Sequence, residues 1–269
     1  LSETKRKNKG MLLVYNSQTF EYRQIEASDY SLYRENANYL LSLISDWANI
    51  SLSEITYEEV IDFFIEKFDI EIVYFDKKED WFYNHSPYVH EHQIEVTKTF
   101  VKRVSGFTIT NGKTFKIFLQ NFTNRQRIIY TLLHELVHIF FHCTNDNYMQ
   151  IFASMEVDGH YPKEIIPFED EANVIASFLY LNETKLIEYL DEGCSFDMIL
   201  SRHNISRRAL HNRLNNYLIY SLELNPQVAL NNFLLPYKKE VFGSEAIDRI
   251  QFVRAYPKKI LQFIRTEVP

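Results

Sequence analysis

His134 and His138 stand four residues apart inside Ile128 to His142, IIYTLLHELVHIFFH, a run otherwise apolar enough for a buried helix. On a helix, residues at i and i+4 project from one face about 6 Å apart. That separation suits two imidazole nitrogens meeting one metal ion. Glu135 lies on the neighbouring flank of the same turn, placed to take a proton from a water that such an ion activates. The H-E-x-x-H pattern therefore points to metal-assisted hydrolysis, and it gains weight from context because short motifs also arise by chance. No proline or glycine interrupts Asn124 to Cys143, and Thr123 with Gln126 three residues later reads as a capping box that opens the helix. Imidazole and carboxylate groups are seldom put into such a run without partners.

Two histidines leave a catalytic zinc site one protein ligand short. In Phe168 to Leu181, FEDEANVIASFLYL, Glu169, Ala172, Asn173 and Ala176 share one helical face, and the alanines would let this helix approach the His134 helix closely. Glu169 is the expected third ligand. Glu171 projects differently and stays open as the alternative, since spacing does not exclude it. Asn173, one turn beyond Glu169, is placed to hydrogen-bond a ligand and orient it. Acidic residues in a first turn also suit the positive end of the helix dipole, so this triplet acquires its chemical meaning only from the HELVH helix. His142 continues the row of His134 and His138. Lying another turn away, it is expected to contact substrate, stabilise an oxyanion or make a structural hydrogen bond rather than ligate the same ion.

These pieces resemble the ImmA/IrrE family of bacterial metallopeptidases. The resemblance rests on HELVH followed by His142, on Arg127 shortly before it, and on the Glu-x-Glu-Ala-Asn string from Glu169 to Asn173. It covers roughly residues 56–182. The chain departs from the family pattern at Val137, where a glycine is common, and at Ile175-Ala176, where Phe-Ala is usual. The resemblance implies a gluzincin-like zinc peptidase of phages, mobile elements and defence or stress loci that cleaves or inactivates a helix-turn-helix repressor. By the same token His134, His138 and Glu169 would be zinc ligands and Glu135 the general base.

The elements that must position these groups are legible in outline. Residues 29–48 carry apolar positions at helical spacing, including Leu32, Leu40 and Ile44. A capping box at Thr56 and Glu59 opens a second helix, followed by a strand at residues 70–76. Two more strands, 103–110 and 114–120, flank Asn111-Gly112, a strong hairpin signal. Were 114–120 an edge strand beside the site, it could capture an extended peptide by strand addition. Residues 77–100 read as loop with some helix. His85, His90 and His92 within it are too irregularly spaced for a second zinc site and are expected on the surface. Residues 145–167 read as a loop.

Beyond Asn182 the pattern is helical, with Gly193 a natural helix stop. Residues 196–220 have the layout of a helix-turn-helix broken at Asn204-Ile205-Ser206, and Arg207, Arg208 and Arg213 are candidate DNA or partner contacts. Packing or partner docking is the preferred role, because a layout does not establish a function. At 269 residues, 46% hydrophobic and 15% aromatic, the chain can bury a sizeable core, while a net charge of -7 disfavours general nucleic-acid affinity. Two cysteines imply no disulfide framework. The charged opening, LSETKRKNKG, reads as a flexible tail rather than a signal peptide, so a cytoplasmic location without membrane contact is expected.

The resulting expectation is an α+β fold: a gluzincin-like core with a small antiparallel sheet packed on the HExxH helix, and a mainly helical carboxyl-terminal region. Its parts are an amino-terminal helical extension (1–55), the peptidase core (56–182), the helix-turn-helix-like segment (183–224) and a last helical region (225–269). The expected function is that of a zinc-dependent endopeptidase acting on a regulatory protein. Its rivals are a DNA-binding regulator with a structural or sensing metal site, and an interaction module with a vestigial one.

Overall fold

The computed structural model describes residues 24–76, 88–89, 92–93, 98–121, 124–143, 150–155, 163–240 and 245–256. Helix α1 (Ala27–Ala48) buries Tyr30, Tyr33, Ala37, Leu40, Leu41 and Ile44 along one stripe, whereas Leu32 faces solvent. It stops at Asn49, whose left-handed backbone (φ 54°) suits an asparagine at this position. Helix α2 (Tyr57–Lys67) starts at the expected capping box, with Thr56 N and Oγ1 both donating to Glu59 Oε2.

The sheet has four strands, β1 (Asp69–Phe75), β4 (Val104–Thr110), β5 (Thr114–Gln120) and β6 (Gln150–Met155), in the order β1-β5-β4-β6. Between β1 and β4 lie a two-residue ladder, β2 (Tyr88–Val89) with β3 (His92–Gln93), and the short helix α3 (Lys98–Arg103). The β4–β5 hairpin turns at Asn111-Gly112 as expected: Gly112 adopts φ 84°, and Asn111 Oδ1 accepts from the amides of Lys113 and Thr114.

Three expectations are corrected here. The sheet is mixed, because β1 pairs parallel with β5 while β4 pairs antiparallel with both β5 and β6. Strand β5 is therefore hydrogen-bonded on both sides and offers no edge to a peptide. Finally, residues 150–155 form a strand within the stretch expected as loop, leaving β6 paired with β4 alone among the described residues. His85, His90 and Thr123 lie outside the described residues, and His92 falls in β3.

Alternation in β4 sends its residues into two cores. Phe107 and Ile109 join Phe75, Val101, Val104 and Phe118 on one face, with Phe107 stacked on Phe118 at 4.6 Å. On the other face, Gly106 and Thr108 meet helix α4 (Arg125–Val137), next to Phe115, Ile117 and Leu119 of β5 in the main core. Helix α4 is capped by Asn124, whose Oδ1 accepts from Gln126 N. It runs on into a π-helical turn, His138–His142, closed by Cys143 N donating to the His138 carbonyl at 3.0 Å.

Gly106 sets how closely α4 approaches the sheet. A Cβ there would stand 2.7 Å from Thr131 Cγ2, 3.1 Å from the Phe118 carbonyl oxygen and 3.2 Å from Leu119 Cδ2. Thr131 lies one turn before Glu135 and is stiff at χ1, so it has little freedom to yield. We expect Gly106→Ala to lower stability by about 1–3 kcal/mol, the usual cost of overpacking. Denaturant titration of the purified variant measures it, and an unchanged midpoint would refute the close-approach role.

Helix α5 (Ile166–Tyr180) carries Pro167 in its first turn and packs against both α1 and α4, with Ala172 and Ala176 fully buried where it approaches them. Helices α6 (Glu183–Asp191), α7 (Phe196–His203) and α8 (Arg207–Asn216) follow. Gly193 (φ 73°) ends the first of these turns and Asn204 (φ 50°) breaks α7 from α8, as read from the sequence. Further helical segments at Tyr217–Ser221, Pro226–Lys239 and Glu245–Ala255 add Leu218, Leu234, Tyr237 and Ile250 to the main core. The fold is α+β with a helical carboxyl-terminal region. No helix among the described residues is long and apolar enough to cross a membrane.

Candidate metal centre

Helices α4 and α5 bring His134, His138 and Glu169 to one buried point. His134 Nε2 and His138 Nε2 lie 3.0 Å apart, and the two Glu169 oxygens lie 3.3 Å from the first and 3.5 Å from the second. All three side chains are buried, and their ligand atoms lie within 4.8 Å of one another, a grouping that could hold a metal ion. Glu169 Oε2 is buried without a hydrogen bond among the described residues. A buried carboxylate oxygen without a hydrogen bond is costly on its own. A cation at the shared centre would satisfy it and both imidazole lone pairs at once.

The electrostatics agree with such a donor set. Burial, reinforced by the neighbouring His134 and His142, pushes His138 far below the ordinary histidine range and keeps its ring neutral, the form that ligates. Burial also works against a cation on His134. There it is outweighed by the adjacent Glu169 carboxylate, by Glu135 and by a hydrogen bond that the His134 ring donates to Asn173, so the site attracts positive charge.

Glu135 is fully buried beside the trio and accepts a 2.7 Å hydrogen bond from Thr108 Oγ1 on β4. The pairing follows from geometry: Gly106 and Thr108, two residues apart on one strand face, match Thr131 and Glu135, one helical turn apart on α4. Asn173 is on the face expected for it and reaches His134, while its carbonyl accepts from Tyr130 Oη at 3.1 Å.

Glu171 is not part of the trio. Its Oε2 lies 3.1 Å from His142 Nε2, and its Oε1 accepts from Asn36 Nδ2 at 2.7 Å. Both hydrogen bonds overcome the effect of burial and hold its carboxyl below the usual range. His142 Nδ1 in turn lies 2.7 Å from His138 Nδ1. Phe152 of β6 stacks on the His138 ring at 5.0 Å, and Phe168, half exposed, meets the His142 ring edge-on at 5.1 Å. Thr108, Asn36 and Phe152 were not anticipated from sequence. Only the two-residue alternation of β4 could have hinted at Thr108.

The basic segment takes a different place from the one expected of a contact surface. Arg213 has 0% of its surface exposed. It donates from Nε to the Leu181 carbonyl at 2.9 Å, lies 3.9 Å over the Phe178 ring and approaches Glu183 at 3.5 Å. As a DNA or partner contact Arg213 is thus corrected: it packs under α5, where an arginine can stack on an aromatic face. Arg207 pairs with Asp197 at 2.5 Å and Arg202 with Glu192 at 2.8 Å, and Arg208 is exposed in the first turn of α8.

No curated protein and no solved structure matches this chain. A family model, Peptidase_M78, the IrrE N-terminal-like domain, matches residues 66–215 and takes in the whole metal centre. With more than half of its 269 residues inside that match, the chain belongs to the M78 peptidase family, the family of the IrrE N-terminal-like domain.

Proposed function

We propose that the protein is a zinc-dependent endopeptidase whose substrate is a regulatory protein, a helix-turn-helix repressor being the class that the ImmA/IrrE resemblance implies. The observation that carries this reading is the convergence of two imidazoles and one carboxylate, all buried, with a second buried carboxylate beside them. A two-nitrogen, one-oxygen donor set is a catalytic zinc set, which leaves a position for reactants. His134, His138 and Glu169 would hold the ion, whose chemistry when bound is to polarise a carbonyl and make a water acidic.

The remaining steps belong to the chain's own side chains. Glu135 accepts the proton of the attacking water and passes it to the departing amine, and Thr108 fixes the carboxylate for both transfers. Strand β6 places Phe152 on the His138 ring, so this strand forms one wall beside the trio. Phe168 supplies exposed apolar surface at the same rim. The regulator reading finds no support in the basic segment, whose arginines at 202, 207 and 213 are turned to carboxylates or the core.

The test is to measure zinc in the purified protein and incubate it with helix-turn-helix regulators from the same genome, starting with any encoded beside it. We expect about one zinc per chain, as one ligand trio requires, and cleavage that a chelator stops and added zinc restores. Cleavage that survives complete metal removal would end this reading.

A further inference from the structure

Three side chains outside the ligand trio are joined to its His138 in one line, and their protons can be arranged in only one way. His138 directs Nε2 to the shared centre, 3.0 Å from His134 Nε2, so a ligating His138 carries its proton on Nδ1. That proton points to His142 Nδ1 at 2.7 Å, which must then be the acceptor. His142 consequently carries its own proton on Nε2, 3.1 Å from Glu171 Oε2. Glu171 accepts there and again at Oε1, 2.7 Å from the Asn36 amide nitrogen, which only donates. Every donor meets an acceptor, and reversing any one link would leave two protons or two lone pairs face to face.

The backbone is built to make this line. Residues His138–His142 form a π-helical turn, and within it His142 lies at the far nitrogen of the His138 ring. π-turns of this kind collect at functional sites. The His142 and Glu171 side chains are 4% and 16% exposed, so the line is shielded from competing water.

Asn36 comes from α1, ahead of residue 66 where the family match begins. Helix α1 is locked on α5 by the buried face that includes Tyr33 and Ala37, and Tyr33 Oη also donates to the Pro167 carbonyl at 3.3 Å. The amino-terminal helix thus reaches the metal centre through a continuous line of hydrogen bonds.

We propose that His142, Glu171 and Asn36 are positioning residues that fix the tautomer and ring orientation of His138, so that α1 is part of the metal site. The proposal rests on the zinc reading above and concerns metal affinity, so it is tested without substrate. Zinc affinity is measured by competition with a chromophoric chelator for the wild type and for Asn36→Ala, His142→Phe, Glu171→Leu and Glu171→Gln. The melting temperature of each metal-free protein is recorded beside it.

His142→Phe and Glu171→Leu should each weaken zinc binding about 10–100-fold, the usual cost of removing a group that orients a ligand. Asn36→Ala should lose less in the same direction. Glu171→Gln, which keeps an acceptor oxygen for His142, should recover part of the loss. Metal-free melting temperatures should stay close to that of the wild type. A wild type that binds no zinc overturns the peptidase reading and this proposal together. A wild type that binds zinc, with affinities of the Phe and Leu variants within twofold of it, overturns the proposal alone. So does an affinity that falls only in step with metal-free stability, or a Gln variant no better than the Leu one, because either marks a purely structural role.

Discussion

Glu135→Gln should lower peptide cleavage by about 10²–10⁴-fold, the range that a positioned general base contributes, while zinc content stays near that of the wild type. The substitution removes a proton acceptor and little else. Glutamine has the same shape, and its Oε1 can still accept from Thr108 Oγ1, now 2.7 Å from the carboxylate. Glu135 is fully buried, and a neutral amide is cheaper to bury than a carboxylate. Stability should therefore be equal or higher. The diagnostic split is a collapse in kcat with zinc stoichiometry and melting temperature retained. Undiminished kcat would remove Glu135 from the chemistry, and loss of zinc with loss of activity would recast it as a supporting group for the ligands.

What the sequence disclosed about this site is what short-range geometry controls. His134, Glu135 and His138 are related by helical arithmetic within one turn, so their common location could be read before any tertiary contact was known. Glu169 was legible as a candidate because Ala172 and Ala176 mark the face of its helix that approaches another helix closely. The choice between Glu169 and Glu171 was not legible. It depends on His142, which within the π-helical turn gives Glu171 a partner of its own. Thr108 and Asn36 reach the centre from a strand and a helix distant in sequence, and nothing local in β4 or α1 announces them.

The same contrast of range explains the errors in the fold. The β4–β5 hairpin is a local object signed by Asn111-Gly112, and it formed as read. The parallel pairing of β1 with β5 is non-local, and it is that pairing which turned an expected edge into an interior strand. The six residues of β6 carry too short a pattern to stand out from a polar stretch, yet β4 supplies the ladder that makes them a strand. Arg213 failed as a surface contact for a related reason. The stretch around it holds no acidic residue between Asp197 and Glu223, but its carboxylate, Glu183, comes from α6, and Phe178 comes from α5. Counting charges along the chain found basicity that packing had already absorbed.

The second large effect separates the two carboxylates of α5. Glu169→Ala should reduce zinc affinity by about 10²–10⁴-fold, on the basis that one of three protein ligands carries about a third of an apparent 10–16 kcal/mol. Glu169 approaches both imidazole nitrogens, at 3.3 and 3.5 Å, whereas Glu171 is engaged by His142 and Asn36 and reaches the centre only through them. The difference can be read as stability. At zinc one hundred times the wild-type Kd, binding adds about 2.7 kcal/mol to the wild type, and about 0.4 kcal/mol or less once Kd has risen a hundredfold. For a protein of this size that gap is about 4–9 °C in melting temperature. Zinc should therefore raise the Tm of the wild type by several degrees and leave that of the Glu169→Ala protein nearly still. Glu171→Ala should keep a larger share of the shift, because all three ligands remain. If Glu171→Ala lost more of it than Glu169→Ala, the assignment of ligand and supporting carboxylate would have to be exchanged. That exchange would require α5 to rotate by about 160° about its axis, which the fully buried Ala172 and Ala176 oppose.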